Sequence, residues 1–483
     1  MMMNRAVVTL LGMISYSKPD YISVDGKVKQ IFVDISEEDR AKYFFSESLN
    51  KFSKKLTKER YINTLPLLID GFSDRKIIPI ATQKAKNIQE KTLDFLKIEN
   101  SPLENTIIID ESNYEQVFQQ ISELLQCDEY DSFIIDLTHG FRHLPILMIV
   151  NLIIASIKDV DKIEHIFFAK EIVPFKEYEI IDLLDYIGLA KLSFVLENFN
   201  TNYTVGNKLS FRNEKYQDLV DSLRIISGHI LANSIKTLIE GEESLIQSTI
   251  KKLKNLQEED KNIATFSISI DNIVKHLEKI QFLKREKDYI KLFRFAQIMQ
   301  KREYLLNSIT LLNESIGMFC VEKIRALSPE ILNKIDDFKR TEEYAFYQLS
   351  HQSKNLIKLG NGFTGSYLSE YLPKIEILKE LREENHQKLI EIIKKVENLR
   401  NNLAHGNSSE KIENVKFEIG KVLKEYQSIA QIANEIDIEE KIRELKKIAS
   451  VTKEKKEKVI AKGIDVPQEK IDSLKNLFDN RRG

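Results

Sequence analysis

Over its first ~200 residues the chain alternates short β-branched runs with amphipathic helical patterns, and from about residue 183 onward the strand signals stop. Few folds satisfy that pattern. Strands that follow one another through helices run parallel and bury both faces, so the first half should form an open, helix-covered parallel sheet. Strand candidates occupy residues 6–12, 76–81, 106–109, 132–136 and 163–168, with 176–181 as a further edge strand. Helical patterns at 37–56, 84–96, 114–125 and 144–157 lie between them, and Asp110 or Ser112 would cap the third. Residues 198–204 read as a linker. Beyond it helical periodicity covers 213–240, 242–256, 268–281, 288–324 and 378–403, with a loop at 361–365. The expected fold class is therefore multidomain, an α/β parallel-sheet half followed by an all-α half.

Length and composition bound the function classes. A chain of 483 residues makes room for roughly two to four domains, each with its own core. Net charge is −2, so there is no global basic field and any nucleic-acid contact must be local. Cys127 and Cys320 are the only cysteines, which excludes a disulfide framework and a thiolate zinc site and suits a reducing compartment. The apolar N-terminus reads as a first strand rather than a leader, and the apolar stretch at 144–157 has the length of a buried helix rather than a membrane span. A cytoplasmic protein with no membrane contact is expected. Past residue 434 the chain is dense in Lys and Glu at i,i+4 spacings, the pattern of solvated helices.

Two constellations carry chemistry. Near the end of the helical half, Arg400, Asn401 and His405 stand close together at a helix end followed by Gly406. Histidine titrates near neutral pH and can move a proton to or from a ribose 2′-oxygen, while arginine can grip the phosphate on which charge develops. On a regular helix a five-residue offset turns roughly 140°, but glycine after the last helical residue favours a left-handed end that takes His405 off that register. Spacing alone proves little, because Arg224 and His229 repeat it. There Ile225 and Ile226 intervene, as on a helix face packed against a core, and a structural role is the better reading of that pair. The alternative for Arg400 and His405 is an ordinary surface arginine beside a helix-end histidine.

The second constellation is the loop Asp136-Leu137-Thr138-His139-Gly140-Phe141-Arg142-His143-Leu144-Pro145. An apolar strand ends at Asp136, a polar turn holding Gly140 follows, and Pro145 suits the first turn of a helix. Open parallel sheets bind ligands beyond the carboxyl ends of their strands, where helix N-termini attract phosphate. Thr138, His139, Arg142 and His143 add groups suited to phosphate, ribose and base edges. Gly12, after the first strand, and Thr82, after the second, would face the same crevice. A bland alternative has Thr138 capping the helix, Arg142 paired with Asp136 and the histidines facing solvent. Neither the GxGxxG nor the GxxxxGK[ST] phosphate pattern occurs, which argues against nicotinamide-cofactor and NTPase functions.

Taken together, the strand and turn at 7–15, the loop at 136–145 and the R-x4-H motif at 400–405 resemble the CRISPR-associated Rossmann-fold (CARF) proteins that carry a C-terminal HEPN ribonuclease domain, the ancillary nucleases of type III CRISPR systems. The resemblance implies a Rossmann-like CARF domain at 1–199, a helical connector at 200–287, a HEPN domain at 288–435 and charged C-terminal helices at 436–483. It implies a cyclic oligoadenylate activator, most commonly the tetra-adenylate, bound by Thr138, His139, Gly140, Phe141 and Arg142 with Gly12, Met13 and Thr82. It further implies metal-independent cleavage of single-stranded RNA by Arg400 and His405 with Asn401 as polar neighbour, no cofactor, and a homodimer or higher even oligomer. The 288–324 helix would pack on the motif helix, with Glu314 a polar candidate. A rival reading is a non-catalytic cyclic-nucleotide sensor whose helical half binds a protein or DNA.

Overall fold

A computed structural model of the chain describes residues 4–24, 27–110, 112–141, 143–157, 162–207, 209–241, 244–326, 333, 345–359, 384–406 and 409–433. It falls into two compact units, Met1–Arg224 with Leu253–Ile270 and Ile225–Lys252 with Asp271–Gly483.

The first unit is built on an eight-stranded sheet. Its strands are β1 (Arg5–Leu10), β4 (Ala41–Phe45), β5 (Arg60–Tyr61), β6 (Lys76–Ala81), β7 (Ile107–Ile108), β8 (Ser132–Asp136), β9 (Ile163–Val173) and β10 (Glu177–Asp182), in the order β5-β4-β10-β9-β8-β1-β6-β7. The hairpin β2 (Ser17–Val24) and β3 (Lys27–Asp34) forms a separate two-stranded sheet. From β9 through β7 every pairing is parallel, whereas β10 runs antiparallel to β9 and β5 antiparallel to β4. Both faces of β1 are buried: Val7 belongs to one core with Tyr43, Phe45, Phe52 and Phe167, and Val8 to the other with Val117, Leu144 and Met148. That double burial is why parallel strands read as continuous apolar runs.

Helices α1 (Asn50–Ser53), α2 (Thr64–Gly71), α3 (Gln83–Phe95), α4 (Tyr114–Gln126), α5 (His143–Ile157) and α6 (Leu184–Asn202) complete this unit's α/β layers. Several expectations need correction. Residues 37–56 hold no long helix; Ala41, Tyr43 and Phe45 are buried in alternation, a period of two, and form β4. Residues 176–181 do not make an edge strand, because β4 and β5 continue the sheet beyond β10. Asn113, rather than Asp110 or Ser112, caps α4 by accepting from the Gln116 amide at 3.1 Å, while Asp110 binds Ser112. The linker expected at 198–204 is mostly helix, since α6 runs to Asn202 and stops where Tyr203 turns left-handed.

The second unit is helical. Its principal elements are α11 (Asp288–Lys301), α12 (Leu305–Arg325), α13 (Ala345–Leu359), α14 (Glu384–Ala404) and α15 (Ile412–Ile429). The continuous helix expected over 288–324 is broken at Glu303, which adopts φ +64° and returns the chain as α12. Likewise 213–240 divides at Asn233 (φ +57°) into α7 (Glu214–Leu231) and α8 (Ile235–Ile239). Helices α9 (Leu245–Glu259) and α10 (Ser267–Phe282) follow, and like α7 they run across the boundaries between the two units. In the second unit α12 is largely buried and packs on α11, α13, α14 and α15, with its buried Ser308, Asn313 and Ser315 hydrogen-bonded. The loop at 361–365 and the charged segment at 436–483 lie outside the described residues.

The chain thus joins an α/β, Rossmann-like parallel sheet to an all-helical half. Among the described residues no helix is long and apolar enough to cross a membrane.

Candidate functional site

In the first unit β6 and β7 lie on one side of β1, and β8 and β9, which follow them in sequence, lie on the other. The strand order therefore reverses between β1 and β8, and the carboxyl ends of such a strand pair are where open α/β sheets form a ligand crevice. The turns that leave these two strands touch. A Cβ placed on Gly12 would lie 3.0 Å from the Gly140 amide nitrogen and 3.5 Å from His139 Cβ. Gly140 has φ +102°, and a Cβ there would come within 3.1 Å of Leu10 Cβ. Backbone meets backbone at this point, which only glycine permits.

A buried carboxylate organises the turn. Asp136 Oδ2 accepts from the Thr9 and Thr64 hydroxyls at 2.8 and 2.7 Å, and its Oδ1 accepts from the Thr138 hydroxyl at 2.6 Å and the Thr138 amide at 3.1 Å. Thr138 is used up in this work, because the same hydroxyl also accepts from the Ala169 amide on β9 at 3.0 Å. It neither caps α5 nor points outward; it ties the loop to the sheet. Half-buried His139 accepts from the Thr64 amide through Nε2 at 3.2 Å, so its proton sits on Nδ1. Burial holds its pKa below the usual histidine value, against the opposing pull of Asp136.

The turn after β1 is held by side chains that sequence reasoning did not single out. Gln89 Nε2, on α3, donates to the carbonyls of Gly12 and Ile14 at 3.0 Å each. Asn63 donates to Gln89 at 2.9 Å and caps α2 through the Leu65 amide at 3.0 Å. Their only signal was polarity at helix positions that prove fully buried. Thr82 caps α3 by accepting from the Ala85 amide at 3.3 Å. Met13 is exposed beside Gly12. Phe141 stacks on His143, with centroids 6.1 Å apart, and His143 also meets Tyr114 edge-on at 5.1 Å, so His143 is a packed ring rather than a solvent-facing one. Arg142 lies outside the described residues. The structure thus brings Gly12, His139 and Gly140 into contact and sets Met13 beside them.

In the second unit, α14 ends at Ala404, His405 follows it, and Gly406 adopts φ +66°, the left-handed conformation that this position favours. Arg400 is half-buried and reaches Asn401 Oδ1 at 3.4 Å, while Asn401 and His405 are exposed. Among the described residues the His405 ring makes no hydrogen bond. Three residues before Arg400, Glu397 is paired by Lys354 at 3.3 Å and Lys358 at 2.7 Å from α13. These lysines hold its carboxyl below the usual range against desolvation, the largest single influence. Glu314 on α12 accepts from Ser350 at 3.1 Å, and α12 does pack on α14. By contrast Arg224 is spent on Asp221 and on the carbonyls of Gly206 and Leu209, a structural role as its surroundings suggested. Among the described residues no three His, Cys, Asp or Glu side chains converge as metal ligands would.

Fold and site together define an α/β unit whose β1 and β8 turns meet at Gly12 and Gly140, continued by a helical unit with an arginine and a histidine at one helix end. No protein-family model matches the chain, and no curated protein matches it. Among solved structures it is similar to Enterococcus italicus Csm6 bound to cyclic hexa-2'-fluoro-hexa-dAMP, at 12% identity over 92% of this chain and 100% of that one, with a TM-score of 0.32.

Proposed function

We propose that the chain is an endoribonuclease switched on by a cyclic oligoadenylate, cutting single-stranded RNA in type III CRISPR defence. The observation that carries this is the crevice at the β1–β8 switch point, where Gly12 and Gly140 bring two backbones together beneath His139. Backbone without side chains at such a place leaves room for a phosphodiester, and the Nδ1 proton of His139 can donate to it. Domain limits of 1–199 for the sensor, 200–287 for a connector, 288–435 for the nuclease and 436–483 for charged helices go with this reading. Thr138 then acts by shaping the loop, and Gly12, Met13, Thr82, His139, Gly140, Phe141 and Arg142 surround the activator, a tetra-adenylate ring in the first instance.

In the helical unit Arg400 binds the scissile phosphate and offsets charge on its oxygens, while His405 moves protons. The ribose 2′-oxygen loses its proton, bonds to phosphorus and displaces the 5′-oxygen, which takes up a proton as it leaves. The products are a 2′,3′-cyclic phosphate and a 5′-hydroxyl, with no metal in the sequence of steps. Asn401 stands beside Arg400 to fix it. Two copies of the motif form one cleft when the chain pairs with itself. A surface suited to that pairing exists on α5: Ile146, Val150 and Ile154, spaced by four, are 63%, 41% and 37% exposed. A ridge of apolar side chains on a helix is suited to pack against its own copy, and a ring with two-fold symmetry suits an isologous dimer.

The test is cleavage of a fluorescent RNA with and without cyclic rings of three to six adenylates, for wild type and His405→Ala. Cleavage should require a ring and fall by roughly a hundredfold or more in the variant. Activity that persists in His405→Ala sinks the site assignment. A ring bound tightly with no RNA cut under any condition favours a non-catalytic sensor.

A further inference from the structure

Between the turn after β1 and strand β4 the chain inserts a ribbon that sequence reasoning passed over. Among the described residues β2 and β3 pair only with each other, in register from Ser17 opposite Asp34 to Val24 opposite Lys27. Asp25-Gly26 between two alternating runs was the overlooked signal. Alternation puts Pro19, Tyr21 and Ser23 on one face with Val28, Gln30 and Phe32. That face is open to solvent: Tyr21 is 65%, Val28 75% and Phe32 69% exposed. A two-stranded ribbon is only marginally stable in water, and exposed aromatic clusters mark contact surfaces.

The ribbon is rooted in the crevice. Its base closes where the Ile35 amide donates to the Tyr16 carbonyl at 2.7 Å, and Tyr16 stacks on Phe95 of α3 at 5.1 Å. Two residues earlier, the Ile14 carbonyl accepts from Gln89 and Asn63, and Gln89 also holds the Gly12 carbonyl. An eight-residue arm extends about 26 Å from that root, enough to cross a nucleotide ring. Phe32 stands opposite Pro19, one step along the same face from the Tyr21–Gln30 pair. Such diagonal neighbours are about 7–8 Å apart, close to twice the 3.4 Å stacking repeat of bases, so one planar base fits between the two rings. Stacking of this kind tolerates any base and needs no hydrogen-bond readout.

From this placement we propose that the β2–β3 ribbon is a stacking arm for the activator, with Tyr21 and Phe32 holding an adenine of a ring bound in the β1–β8 crevice. The inference rests on the nucleotide reading of that crevice. Gly12 and Gly140 receive phosphate and ribose, and the arm supplies flat apolar surface for a base. Val28 extends that surface along the arm.

Two measurements test it. Calorimetry with cyclic tetra-adenylate compares wild type with Tyr21→Ala and Phe32→Ala, and each variant should bind about tenfold more weakly at an unchanged melting temperature. Because the chain has no tryptophan, Phe32→Trp gives a sole reporter, whose emission should change with ring concentration at the affinity calorimetry reports. Wild type that binds the ring while both alanine variants bind equally well and the tryptophan stays silent overturns the arm but leaves the crevice reading standing. Wild type that binds no adenylate ring overturns both. Tryptophan emission that follows protein concentration and ignores the ring assigns the face to a second copy of the chain, which also overturns the arm.

Discussion

His139 and Asp136 show how single residues carry this crevice. Four hydrogen bonds converge on the Asp136 carboxylate, and the Thr64 that supplies one of them also holds His139 through its amide. Burial depresses the His139 pKa below its ordinary value of 6.5. The sign follows directly. Above 6.5 the ring is neutral in both folded and unfolded chain, so its contribution to stability is full. As pH falls below 6.5 the unfolded chain takes up a proton that the folded chain resists, and that contribution drains away until the folded value is passed. One such group supplies at most about 1.4 kcal/mol per pH unit. His139→Gln should therefore lose less stability than wild type between pH 7.5 and 5.5. Urea midpoints at both pH values decide it, and identical pH slopes would remove His139 from the linkage.

Residue identity was legible in the sequence where chemistry is rare and local. Asp136, His139 and Gly140 stood out because a charged or flexible group ended an apolar strand. Thr64, Gln89 and Asn63 did not, because a polar residue in a helix usually faces water and only the tertiary fold shows these three buried. Thr138 was visible as a hydroxyl, but its direction was not. Its partners, Asp136 and the Ala169 amide, are two and thirty-one residues away, and the second distance is set by the pairing of β8 with β9.

At the scale of elements, the two glycines make one device. Gly140 needs its left-handed backbone to bring the loop over β1, and Gly12 needs the space that a Cβ would take. Gly140→Ala adds a strained backbone conformation, about 1–3 kcal/mol, and a contact at 3.1 Å from Leu10 Cβ that has to relax. Gly241 offers a control. It has φ +98° with nothing within 4 Å of its Cβ position, so Gly241→Ala carries the backbone strain alone. Gly140→Ala should weaken cyclic oligoadenylate binding at least about tenfold while Gly241→Ala leaves it intact, both read by calorimetry. Equal affinities for the two would show that the close approach at Gly140 has no part in the ligand site.

Elements were readable to the degree that one face or both faces set a clean period. The parallel strands β1, β6 and β8 are buried on both sides and appeared as apolar runs within a residue or two of their bounds. β4 reads as helix in the sequence because Tyr43 and Phe45 sit among charged residues whose spacing fits either period. The breaks at Glu303 and Asn233 were invisible because neither carries a glycine or proline; a non-glycine residue takes the left-handed turn there, held by packing on either side.

For the whole molecule, self-pairing is the step on which the proposed mechanism depends, since that proposal takes one Arg400 and one His405 from each of two chains. The α5 ridge offers the most direct handle. Ile146 and Val150 are exposed, so their replacement by aspartate leaves the core of the first unit untouched, while two like charges facing their copies across a two-fold axis oppose association. The double variant should run in light scattering at the 56.2 kDa of one chain, with wild type at twice that mass. RNA cleavage should fall by roughly a hundredfold or more with the dimer, because proton transfer and phosphate binding then lack their partner half. Affinity of the monomer for the ring should drop as well, since an isologous site loses one of its two identical halves. The fold should persist, read as an unchanged circular dichroism spectrum. A wild type that is monomeric at full activity would show that each chain cuts alone, and would turn the Ile146–Val150–Ile154 ridge into a surface for some other contact.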